Sequence, residues 1–290
     1  LGVSIVYINP INASISNHRY DISDYEAVDA ILGNLDDFTS LIKAASKRDM
    51  KIILDGVFNH VSDDSVYFDR YGKYKEDGKP LGAYQYWSRV YDIMNEKSIS
   101  QEDAIKAAEA EFKAEGITDF TYSEWFKIYN EKAGDHYRYE GWNGFDSMPV
   151  IQALDGSELN VKSWAKDIIS DKDSVTNLWL DRGTSGWRLD VADEVSDETW
   201  RAFRDAVKEA GQDNVVIGEI WTDASKYLLG DMYDSVMNYR FRGSVLGYAS
   251  GSKTADLTMN ELEKMREQYP KEAFQAMMNL VGSHDKPRVL

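Results

Sequence analysis

Arg188 and Asp190 stand two residues apart in the run GWRLDVA, Gly186 to Ala192. On a strand, residues i and i+2 share a face. The guanidinium then lies beside the carboxylate, favours its ionised form and lowers its pKa. An ionised carboxylate can act as a nucleophile. Glu219 follows the run VVIG and precedes Ile220 and Trp221. A carboxyl in apolar and aromatic surroundings keeps its proton longer, as a general acid must. One carboxylate held ionised beside another held protonated is the pairing that glycosidic-bond cleavage uses. His284 and Asp285 close the run AMMNLVGSHD and offer a third acid. That acid is tolerated if it bonds substrate hydroxyls or faces developing positive charge. The run DGVFNH adds Asp55, Asn59 and His60. Asp55 either bonds backbone near the site or touches substrate. Asn59 either fixes a loop or serves as an oxygen ligand to calcium.

Taken singly, each residue has a plainer explanation. An Asp at a strand end is usually a turn or helix-cap residue. An Arg two residues from an Asp is often only a structural ion pair. What favours a site is the recurrence of such clusters at the ends of several strands.

Those strands are legible as apolar runs: VSIVYI, KIILDGVF, GWRLDVA, NVVIGEIW, YDSVMNY and AMMNLVG. Amphipathic segments alternate with them. LDDFTSLIKAASKR places Phe38, Leu41, Ile42 and Ala45 at helical spacing, and DETWRAFRDAVKEAG places Trp200, Phe203 and Val207 on one face with Gly211 as a stop. Such alternation implies right-handed crossovers and a parallel sheet. A doubly wound sheet and an eight-fold barrel both fit, but no Gly-x-Gly-x-x-Gly turn follows the first strand, which counts against a dinucleotide fold. In a barrel all the C-terminal strand ends open on one face, so the clusters would converge there. Residues 61–160 break the rhythm with the turn-rich, aromatic run YGKYKEDGKPLGAYQYW, then a helix opened by Ser100 and Asp103 as a capping box. The expected organisation is a first part of the barrel at 1–60, an inserted subdomain at 61–160, and the remainder at 161–290.

The chain has 290 residues, 43% of them apolar, enough for one large domain or two small ones. It has no Cys and only four His, which excludes disulfides and thiol catalysis and disfavours a structural zinc site. A formal charge of −17 repels phosphate backbones, so no nucleic-acid partner is expected. No apolar run reaches the length of a membrane span, so no membrane partner is expected. The first residue is Leu and LGVSIVYINP already reads as a mid-domain strand, so an excerpt of a longer protein is expected. The lack of a signal peptide therefore says little about location, and secretion and the cytoplasm both stay open.

In this order the runs DGVFNH, GWRLDVADE, GEIW and LVGSHD resemble the conserved regions of the α-amylase family, glycoside hydrolase family 13. NHRYDISDY, Asn17 to Tyr25, resembles the aromatic segment after barrel strand two, and GFDSMPV a short region near the end of that family's inserted B domain. The resemblance spans nearly the whole chain. It implies an α/β fold, a (β/α)8 TIM barrel present as about strands two to seven, with the insertion after strand three. It implies Asp190 as nucleophile, Glu219 as general acid and base, and Asp285 as the acid that binds sugar hydroxyls in a distorted transition state. Arg188, His60 and His284 would line the same sugar subsite, Tyr20 would stack on that ring, and Asp21 would bind hydroxyls of a terminal glucose. Configuration would be retained, with about 5–5.5 Å between the carboxyls of Asp190 and Glu219.

GEIWTDASKYLLGDMYDSVMNYRFRG and GWNGFDSMPV point within the family to the neopullulanase, cyclomaltodextrinase and amylopullulanase group. That implies starch, pullulan or cyclodextrin as substrate, cut at α-1,4 and in some members α-1,6 links, with Trp221 a stacking platform on the leaving-group side. No cofactor is implied for the chemistry. Many α-amylases carry a Lys-His pair just after the nucleophile, and that His helps hold calcium. Asp193 and Glu194 stand there instead, which counts against the usual calcium site and leaves calcium elsewhere open, with Asn59 as a candidate ligand. A homo-oligomer of the full-length protein is compatible with the group. A transglycosylase, in which a sugar resolves the intermediate, is the second reading. A non-catalytic carbohydrate-binding relative is the third, and the presence of all three carboxylates counts against it.

Overall fold

The computed structural model describes residues 2–153 and 155–289. In chain order the elements begin with β1 (Ile5–Ile8), β2 (Asn12–Ser14), β3 (Ile22–Val28), α1 (Leu35–Ser46) and β4 (Lys51–Gly56). Next come α2 (Ala83–Lys97), α3 (Gln101–Ala114), β5 (Ile128–Ala133) and β6 (His136–Tyr139). Then follow α4 (Lys162–Ala165), α5 (Val175–Asp181), β7 (Gly186–Leu189), α6 (Asp197–Ala210) and β8 (Val215–Gly218). The last are β9 (Ser235–Asn238), α7 (Tyr239–Ala249), α8 (Ala255–Gln268), α9 (Lys271–Gln275) and β10 (Met278–Asn279).

The main sheet has the order β1-β4-β7-β8-β9-β10, and every neighbouring pair is parallel. Each strand lies beside the next one in the chain that belongs to the sheet. A doubly wound sheet would reverse its order at a switch point. This one never reverses, so it is an arc of a (β/α)8 barrel, and the choice that periodicity left open is resolved. All six apolar runs read from the sequence fall on its strands.

Side-chain alternation splits the apolar residues into two layers. Ile52, Leu54, Trp187, Leu189, Val216 and Val236 point to the helices and join the large core. Ile53, Ile217, Met237, Tyr239 and Leu280 form a separate cluster on the other face. That inner face carries the polar residues too: Asp55 two after Ile53, Glu219 two after Ile217. Gly186 opens β7 at φ +140, and a Cβ there would lie 2.1 Å from the Val215 carbonyl oxygen. Close approach of β7 to β8 therefore demands glycine at this position.

Two helices differ in detail from expectation. Phe38 and Ala45 of α1 are buried and Ile42 half-buried, but Leu41 points outward at 43% exposure. A 100° step per residue puts it at the margin of the stripe that faces the sheet. Ser100 caps α3 by accepting from the Asp103 N–H, while the Asp103 carboxylate takes the Ser100 hydroxyl rather than its backbone N–H. The reciprocal capping box occurs instead at α1, between Asn34 and Asp37. Between β4 and α4 the chain forms the packed pair α2 and α3 and the antiparallel hairpin β5–β6, and returns to the sheet through a bridge between His60 and Val150.

Candidate active site

Asp55 and Arg188 are register partners on β4 and β7, with both side chains on the inner face. The β-ladder continues one residue past each of the next two strand ends. Asp190 N–H donates to the Gly56 carbonyl, and Glu219 N–H to the Leu189 carbonyl. Two carboxylates are thus held by sheet hydrogen bonds rather than by loops. Asp285 is held differently, in a turn beyond β10 where its N–H donates to Ser283 Oγ.

Arg188 joins these groups. Its Nη1 donates to Asp55 Oδ1 and Oδ2 at 2.8 and 3.1 Å and to Asp190 Oδ1 at 2.8 Å. Its Nε reaches Met237 Sδ at 3.3 Å. Nη2 lies 2.9 Å from Glu219 Oε1, an ion-pair contact whose alignment falls short of a hydrogen bond. The rings of Tyr7 and Tyr20 lie 5.7 and 5.9 Å from the guanidinium carbon. Glu219 Oε2 accepts the Val191 N–H at 3.1 Å.

One buried cation therefore faces three carboxylates. Burial alone would lower the Arg188 pKa, but Asp55, Asp190 and Glu219 more than reverse that and raise it. Asp190 departs from the sequence expectation. Burial pushes its pKa well up, Asp55 and Glu219 push the same way, and Arg188 pulls it down without winning. Burial is the main reason, and the Arg188 guanidinium cannot offset it because it is shared with Asp55, which binds it through both oxygens. Asp190 and Glu219 are thus two buried acids that share one guanidinium with Asp55. The surroundings of Glu219 also differ from expectation. It meets a guanidinium and a backbone N–H as well as the buried Ile220.

The remaining candidates spread out from this centre. Tyr20 OH donates to Asp55 Oδ2 at 2.8 Å and lies 2.7 Å from His284 Nε2, with the Tyr20 and His284 rings stacked. His284 Nε2 is 3.3 Å from Asp285 Oδ2. Asp285 thus connects to Asp55 through His284 and Tyr20, and its side chain is 34% exposed. Trp221 stacks flat on Tyr239, at 4.1 Å and 2°. His60 is buried at 1% exposure; its Nε2 meets the Tyr20 carbonyl and its ring stacks on Trp142. Burial pushes its pKa down to about 4. Asp21 is also buried, with its carboxylate accepting from the Ser16 N–H and hydroxyl. It closes a turn of its own chain. Asn59 Nδ2 donates to Glu194 Oε2 at 3.4 Å, beside a cavity of about 390 Å³ walled by Tyr139, Glu140 and Val150. Among the described residues no group of three or more His, Asp or Glu is placed to hold a metal ion.

Three residues at the site escaped the sequence reading. Tyr7 OH bonds Asp55; its signal was a lone phenol in an apolar strand. Tyr239 follows β9, and its OH reaches Asp285 Oδ2 at 3.4 Å and Ser283 Oγ at 3.2 Å. Burial pushes its pKa up to about 12. Val191 sits at φ 44, ψ 44, a left-handed conformation that a β-branched residue rarely adopts. Nothing in its type announces that strain, which aims its N–H at Glu219.

A family model described as the α-amylase catalytic domain matches residues 1–290. An amylopullulanase of Thermoanaerobacter thermohydrosulfuricus is 41% identical over 307 residues, covering 100% of this chain and 19% of that protein. Neopullulanase 2 of Thermoactinomyces vulgaris is 35% identical over 291 residues, covering 100% and 41%. The solved type III pullulan hydrolase from Thermococcus kodakarensis superposes with a TM-score of 0.73 at 29% identity, covering 99% of this chain and 42% of that one. The chain thus spans well under half the length of each of these relatives.

Proposed function

The chain belongs to the α-amylase family of glycoside hydrolases, and on that premise we propose that it carries the catalytic centre of a retaining α-glucan hydrolase. The relatives' names include amylopullulanase, neopullulanase and cyclomaltodextrinase, so the substrate class is starch, pullulan or cyclodextrin, cut at α-1,4 bonds and, in the amylopullulanase manner, α-1,6 bonds. The observation that carries the reading is Arg188 bridging Asp55, Asp190 and Glu219 on the inner face of a parallel sheet.

Asp190 is the nucleophile. Arg188 fixes its Oδ1 and leaves the other oxygen for the anomeric carbon. Glu219 donates a proton to the departing sugar oxygen and later takes one from the incoming water. The C1–O bond to the leaving sugar breaks as the C1–O bond to Asp190 forms; water then reverses that exchange on the same face. Asp285, in its more exposed turn, bonds hydroxyls of the distorted ring. Tyr20 and His284 offer that ring a stacked aromatic wall. Residues 61–160 act as an inserted subdomain flanking this opening. The reaction needs no cofactor.

The test is product analysis with pullulan, starch and cyclodextrin, with proton NMR on the first product. Retained α-configuration, lost on Asp190→Asn, supports the reading. Unchanged turnover in Asp190→Asn would remove it. Transfer products dominating over free sugar would move the assignment to a transglycosylase.

A further inference from the structure

Trp221 is 40% exposed at the mouth of the site, yet neither face of its indole is bare. Tyr239 lies flat against it at 4.1 Å. The ammonium of Lys286 lies over the ring, 4.3 Å from its centroid. Two groups that close to one centroid cannot share a face, so phenol and ammonium sandwich the indole. Lys286 directly follows Asp285, and among the described residues its ammonium has no carboxylate partner within ion-pair distance.

Resting on the glycosidase reading above, we propose that Lys286 sets specificity on the leaving-group side by capping the one face of Trp221 on which a sugar can stack. A sugar stacks by laying its C–H groups on an aromatic face, and here it must first displace the ammonium. An exposed cation–π contact is worth about 0.5–1 kcal/mol, a two- to five-fold penalty in affinity. Water pays no such penalty. In the second half-reaction the C1–O bond to Asp190 breaks while a C1–O bond to the acceptor oxygen forms, and the acceptor's proton passes to Glu219. When the acceptor is a sugar it needs the Trp221 face; when it is water it does not. Lys286 thus biases the intermediate towards hydrolysis and against binding long leaving groups.

The experiment compares maltopentaose with α-maltosyl fluoride, whose leaving group carries no sugar, in Lys286→Ala and Lys286→Arg. Lys286→Ala should lower the KM for maltopentaose about two- to five-fold relative to that for the fluoride, and raise the transfer-to-hydrolysis ratio with added maltose by a similar factor. Lys286→Arg keeps a cation over the ring and should restore both values. In a Trp221→Ala background Lys286→Ala should have no further effect. A raised relative KM, an unchanged one, or an effect that survives in Trp221→Ala overturns the inference. Absence of any fluoride turnover by the unaltered protein overturns the glycosidase reading, and the inference with it.

Discussion

Asp55 and Arg188 face each other as register partners on adjacent parallel strands, joined through both carboxylate oxygens and both at 1% exposure or less. Asp55 thereby shares the cation that also bonds Asp190.

A pH prediction follows from that sharing. Burial and then Asp55's charge raise the Asp190 pKa, and a nucleophile must be ionised. Activity therefore falls as pH drops through this raised value. In Asp55→Asn the negative neighbour is gone and Arg188 is freed, so the acid limb of kcat/KM moves to lower pH, even though total activity drops with the disturbed network. A pH profile on α-maltosyl fluoride measures it. A limb that stays or moves up would refute the role given to Asp55.

Glu219→Gln separates the two steps of catalysis. Glutamine cannot give a proton to a sugar oxygen, so turnover of maltopentaose should fall about 10²–10⁴-fold. Fluoride departs without an acid, so stopped-flow assay of α-maltosyl fluoride should show a fast burst of about one equivalent, then slow release of the glycosyl-enzyme. Equal loss on both substrates, with no burst, counts against Glu219 as the acid.

His60 makes the fold sensitive to mild acid. Burial depresses its folded pKa to about 4 from the usual imidazole value of 6.5. Below pH 6.5 the unfolded chain binds a proton that the native state refuses, so stability is lost as pH falls from about 6.5 to about 4. The loss saturates near about 3 kcal/mol. Denaturant unfolding across that range should show a steeper acid slope in the unaltered protein than in His60→Asn. Parallel slopes would assign the sensitivity elsewhere.

Gly186→Ala should cost about 2–4 kcal/mol, because a Cβ meets the Val215 carbonyl oxygen and the φ of +140 is strained for any L side chain. Thermal unfolding reads the loss directly. A neutral outcome would mean that β7 can part from β8 without penalty.

Much of this was legible in the sequence because strands advertise themselves by period. Alternation puts Ile53 with Asp55 and Arg188 with Asp190 on one face, and that is a local property of the chain. Charge sharing is not local. No spacing tells that Asp190 is buried, or that Asp55, 133 residues before Arg188, shares the guanidinium, and these together reverse the expected shift of Asp190. The surroundings of Asp21 were hidden for the same reason. The resemblance implied a sugar ligand there, and in the structure its carboxylate accepts from Ser16, five residues earlier. The left-handed Val191 left no trace at all, since its conformation is imposed by the strand ends around it.

The sheet's open edges support a last prediction about these 290 residues produced alone. Among the described residues β1 pairs only with β4, and β10 pairs only with β9 over two residues. Among the described residues no further strand pairs with the outer side of either, and Val3, Ile5 and Val281 beside them are about half exposed. A closed barrel has no edges; this arc has two, flanked by apolar side chains and without bulges or prolines along the β1 strand to blunt them. Met237 and Leu280 of the inner cluster line a groove of about 600 Å³ that runs past Tyr7 and His284. The segment should therefore self-associate, and analytical ultracentrifugation at micromolar concentration should show species larger than 33.0 kDa. A monomer with one cooperative unfolding transition would mean that the charge of −17 outweighs the edges.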